Sequence, residues 1–187
     1  MRVRQLAGFP IFLLVVGALG ASTGCGGDSG SAAAPGGGAE AASSVDPRAA
    51  AEAEKSALAA YAGYLAASRK AELAADPHDP GLRKYLGDPL LTRVRIAIRD
   101  AKEHGAMRTG NIVSDPVVTE VSLDAVPATV SIQDCIDTTG YKLIYQRDRS
   151  VVPGSVGGRY VATATASRYP DGRWLVNESG VHKDQPC

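Results

Sequence analysis

Residues 128–136 read Ala128-Thr129-Val130-Ser131-Ile132-Gln133-Asp134-Cys135-Ile136, and this stretch decides the fold. On an extended chain Val130, Ile132, Asp134 and Ile136 share one side, and Ser131, Gln133 and Cys135 the other. That is a strand with one face turned to a core. Working outward, residues 141–147, 160–168 and 173–181 carry the same β-branched and aromatic residues. Tyr169-Pro170-Asp171-Gly172 supplies a hairpin turn before the last run. Upstream, Val117, Thr119, Val121 and Leu123 alternate with Val118, Glu120 and Ser122. With Thr138-Thr139-Gly140 and residues 153–158 as connections, the pattern predicts a meander of about five antiparallel strands.

Before Gly105 the period lengthens to that of a helix. Asp46-Pro47 opens a long helix over residues 48–75, because Asp accepts orphan amide hydrogens and Pro suits the first helical position. Leu58, Tyr61, Leu65 and Leu73 give it an apolar stripe, with Glu52, Glu54, Lys55, Arg69, Lys70 and Glu72 assigned to solvent. The prolines in Asp76-Pro77-His78-Asp79-Pro80-Gly81 end it. A short helical piece is expected over residues 82–86. Gly87-Asp88-Pro89 opens another helix, in which Leu90, Leu91, Val94, Ile98 and Ala101 recur at helical spacing until His104-Gly105. Helices followed by strands predict an α+β fold, with the N-terminal helices packed on one face of a curved, mostly antiparallel sheet.

At the other end of the chain, Arg2 and Arg4 precede the uncharged apolar run of residues 9–19 (FPIFLLVVGAL), the order of a secretion signal. The run is too short to span a bilayer. Gly20-Ala21-Ser22-Thr23-Gly24-Cys25 follows and resembles a bacterial lipobox, although Ser22 stands where Leu or Val is commonest. The resemblance implies cleavage before Cys25, lipid on its sulfur and display on the outer face of the cell membrane. An ordinary cleavable signal with Cys25 incidental is the alternative. Residues 1–24 are thus read as signal peptide and 25–45 as a membrane tether. Between Gly26 and Val45 there is no aromatic residue, and such a coil spans roughly 25 Å.

Removing 24 of the 187 residues leaves 163, enough for one domain over residues 46–187. Lys and Arg number 20 against 20 Asp and Glu; two of the basic residues lie in the leader, so the remainder carries a net charge of −2. No basic stripe points to nucleic acid. Of three cysteines, lipid takes Cys25, and Cys135 with Cys187 make an even pair that suits one disulfide in an oxidising compartment. A free thiol at Cys135 is the functional alternative.

The element order, Asp88-Pro89, the strand end Asp134-Cys135-Ile136-Asp137, Gly157-Gly158 and the final Asp171-Gly172-Arg173-Trp174 together resemble the NTF2-like (SnoaL-like, cone-shaped) domain of secreted lipoproteins in high-GC Gram-positive bacteria. The resemblance implies a pocket between helices and sheet. It implies no single reaction, since that superfamily holds isomerases and dehydratases beside non-catalytic domains.

Asp134, on the apolar side of its strand, is the candidate base of an enzyme reading, in which burial raises its affinity for a proton. The plainer reading puts it at the sheet's rim, bonded to backbone or to an arginine. Tyr61, Tyr64, Tyr85 and Trp174 are candidate pocket-lining residues, or else core aromatics with a polar tip. His78, His104 and His182 have no metal-ligand spacing, and neither metal nor other cofactor is expected. The reading that follows is a non-catalytic, lipid-anchored domain that binds a small apolar ligand or a cell-envelope protein. A lyase or isomerase using Asp134 is its alternative, and a homodimer through the sheet is a third possibility.

Overall fold

The computed structural model describes residues 46–187; the expected signal peptide, Cys25 and the expected tether lie outside them. The described chain opens with helix α1 (Pro47–Leu73), α2 (Pro80–Tyr85) and α3 (Leu90–Glu103). Asp46 accepts from Arg48 N at 2.9 Å, and Asp79 caps α2 through Gly81 N at 2.8 Å. Asp88 accepts from both the amide and the hydroxyl of Thr92 at the start of α3. Helix α3 ends on His104, whose Nδ1 lies 2.7 Å from Asp100 O, before Gly105 at φ +64°. No helix among the described residues is long and apolar enough to cross a membrane.

Six strands follow: β1 (Ala106–Gly110), β2 (Pro116–Ser122), β3 (Thr129–Asp137), β4 (Tyr141–Tyr145), β5 (Arg159–Arg168) and β6 (Trp174–Pro186). Strands β2, β3, β5 and β6 form one antiparallel sheet in the order β2-β3-β5-β6, and β1 pairs with β4 apart from it. The simple meander is therefore corrected. The turn at Thr138–Gly140 sends β4 away from β3 to meet β1, and β5 takes the place beside β3. Tight backbone approach makes this possible. Gly110 has φ +98°, and a Cβ there would run into the carbonyl of Gly140.

The core lies between α1 and the inner face of the large sheet. Strand β3 contributes Val130, Ile132 and Ile136, β5 contributes Ala162, Ala164 and Ala166, and β6 contributes Val176. Helix α1 meets them mostly with small residues, Ala53, Ala57, Ala60, Ala67 and Ala71, plus Tyr61. Leu58 and Leu65 are only partly buried beside this cluster. The alanines let helix and sheet approach closely, and each fully buried Val or Ile of the sheet contributes roughly 1.5–3 kcal/mol. The result is the α+β arrangement expected, helices over an antiparallel sheet, consistent with an NTF2-like plan.

Strand β2 departs from simple alternation. A bulge between Val118 and Glu120 turns Val118, Val121 and Leu123 toward the core and leaves Val117 54% exposed. Strand β6 runs past Val181 to Pro186, and its end is fixed by a Cys135–Cys187 disulfide with Cα atoms 5.9 Å apart.

Candidate functional site

On α1, Tyr64, Leu65, Ser68, Arg69 and Glu72 recur at helical spacing and line one cavity of about 440 Å³. Across from them stand Ile136 of β3, Tyr141 of β4, Arg108 of β1, Tyr160 of β5, and Val181 and Lys183 of β6, with residues 154–157 closing one side. The volume is that of a small-molecule site. The sheet's departure from a meander makes it, because β1 and β4 form a second wall beside the main sheet.

Glu72 is the charged centre of this wall. Its side chain is 21% exposed, Tyr141 Oη donates to Glu72 Oε2, and Arg108 Nε lies 3.9 Å from the same oxygen. The Arg108 guanidinium sits 5.4 Å from the centre of the Tyr141 ring. Burial pushes the Glu72 carboxyl above its ordinary range, against the opposing pull of the Tyr141 hydrogen bond and the Arg108 charge. Burial, followed by the Glu72 charge, likewise raises the Tyr141 phenol. Glu72 and Arg108 also line a second hollow of about 380 Å³, with Ile98, His104, Leu143 and Tyr145. Arg69 Nε donates to Gly110 O at 2.9 Å, so the glycine that lets β1 meet β4 also holds a cation at the cavity.

Asp134 points inward with Val130, Ile132 and Ile136, as alternation predicts, and is 2% exposed. The rim placement is therefore corrected. Its carboxylate accepts from Tyr61 Oη at 2.9 Å, from Ser114 Oγ at 2.6 Å and from Asp115 N at 2.7 Å. Neither Asp134 nor Tyr61 lines the 440 Å³ cavity, whereas Tyr64 does. Burial, then the Asp134 charge, holds the Tyr61 phenol far above its ordinary value. Tyr85 lies over Gly63, where a Cβ would overlap its ring, and Trp174 packs partly buried against the core; neither lines the cavity. Cys135 and Cys187 are joined to each other, and Cys25 lies outside the described residues.

The solvent assignment holds for Arg69, which is exposed at the cavity, but not for Glu72, which is half-buried; Arg108, Tyr141 and Lys183 were passed over. A signal for Glu72 was present: counting from Tyr61, Leu65, Ser68 and Glu72 fall at i+4, i+7 and i+11, on the inward stripe. Arg108 and Tyr141 had none, because their meeting depends on the β1–β4 pairing.

No family model matches the chain, and no curated protein does. Among solved structures it is similar to the intermembrane space region of the chloroplast protein ARC6, at 13% identity and a TM-score of 0.43, over 68% of this chain and 95% of that one. A likeness that weak carries neither a family nor an activity to this chain.

Proposed function

We propose that this is an extracytoplasmic binding domain that takes a small ligand in the cavity between α1 and the sheet. The observation that carries the reading is the cavity itself. It has a ligand's volume, apolar walls from Leu65, Ile136 and Val181, and convergent polar groups on Glu72, Tyr141 and Arg108. The Cys135–Cys187 disulfide supports an oxidising compartment, in keeping with the secretion signal and with lipid attachment at Cys25. The tether of residues 25–45 then holds the domain clear of the membrane.

Asp134 serves this function as a structural anchor. Three donors occupy its carboxylate, and its partner Tyr61 ties it to α1. A native mass spectrum of the full chain, purified in detergent from its own envelope, tests the reading. A bound small molecule that denaturation releases is the expected result. A chain carrying lipid but no releasable ligand, together with a co-purifying envelope protein, would replace the cavity by a protein-binding surface.

A further inference from the structure

Charge is unevenly distributed around the 440 Å³ cavity. Its walls include three cations, Arg69, Arg108 and Lys183, and one carboxylate, Glu72. Glu72 is already engaged by the Tyr141 hydroxyl and by Arg108. Arg69 donates to a neutral carbonyl, that of Gly110. Among the described residues neither Arg69 nor Lys183 has a carboxylate within 4 Å. Both are exposed, whereas Ile136 and Tyr141 of the same cavity are 5% exposed. The cavity thus has apolar depth and two cations in reach of solvent without an acidic partner.

A neutral apolar ligand makes no use of those cations, and an inorganic anion makes no use of the apolar depth. We propose that the cavity takes a small organic acid, an apolar body bearing one carboxylate that Arg69 and Lys183 receive. The inference rests on the cavity being the binding site. The two cations at the mouth attract an anion, while the body displaces water from Leu65, Ile136 and Val156. Glu72, held by Tyr141 and Arg108, keeps a second negative group from entering deeper.

The test compares 2-naphthoate with 2-naphthamide, two probes of nearly equal shape that differ by one charge. Each is titrated into the isotope-labelled full-length protein while the amide signals of Leu65, Ile136 and Lys183 are followed. Naphthoate should bind about ten-fold more tightly than the amide, and this preference should fall several-fold in Lys183→Ala. Lys183 is exposed near the end of β6, so its loss leaves the core intact. Arg69→Gln should act in the same direction. Equal binding of the two probes, or a preference unchanged in both variants, overturns the organic-acid inference and leaves the cavity reading standing. Silence from both probes overturns the two together.

Discussion

Tyr61 donates a 2.9 Å hydrogen bond to Asp134 across 73 residues of sequence, joining the middle of α1 to the centre of β3 through two side chains that are 1% and 2% exposed. The pair fixes the helix over the sheet in one register. A charged acceptor inside a core costs stability unless its lone pairs are filled, and Ser114 Oγ and Asp115 N complete the set. Tyr61→Phe should therefore destabilise by about 1–3 kcal/mol in urea unfolding. Asp134→Ala, which orphans three donors at once, should cost more. Equal midpoints for wild type and Tyr61→Phe would show that the bond contributes nothing.

Glu72 gives a pH dependence of opposite sign to that of an ordinary paired carboxylate. Its folded-state affinity for a proton is raised by burial from the ordinary 4.5. Above that value, and up to the raised one, the folded protein keeps a proton that the unfolded chain has released. Stability then falls as pH rises through the window, by at most about 1.4 kcal/mol per pH unit for one group. Glu72→Gln has no such proton to lose. The difference in stability between wild type and Glu72→Gln should thus shift toward the variant as pH rises from 4.5. Parallel pH profiles for the two proteins would contradict the burial of a charge at Glu72.

Strand β2 separates what the sequence reveals from what it hides. Alternation alone puts Val117 and Val121 on one face, but the bulge before Glu120 leaves Val118 and Val121 facing the core together. Val118→Asp should therefore cost about 2 kcal/mol or more, and Val117→Asp less than about 0.5 kcal/mol. The reverse order would restore the simple pattern. The helix start at Asp46 and the turn at Gly172 were legible because capping and positive φ are local demands; the cap at Asp79 was hidden inside a run of prolines that reads as a helix breaker. The inward face of β3 was legible because no bulge interrupts its pairing with β5. The cavity was not, since Arg108 and Tyr141 come together only through the pairing of β1 with β4, and that pairing has no local mark in the residues of β1.

The disulfide connects stability to the cavity. It closes the chain across a separation of 52 residues, and removing it should cost about 4 kcal/mol in the chain-entropy model. Its second effect is local. Cys187 fastens the end of β6, which carries Val181 and Lys183 to the cavity wall, against β3 at Cys135; Arg159 Nε lies 3.1 Å from Cys135 Sγ at that junction. Without the bridge, residues 182–186 are held to β5 by the backbone pairing at Val161 and Tyr160 and by the 2.9 Å contact between Thr163 Oγ1 and His182 Nε2. A Cys135→Ser, Cys187→Ser double variant should show faster amide exchange at Val181 and Lys183 than at Leu175 and Val176, which are buried near the other end of β6. Uniform acceleration along β6 would mean that the bridge stabilises the fold as a whole without fixing the cavity wall.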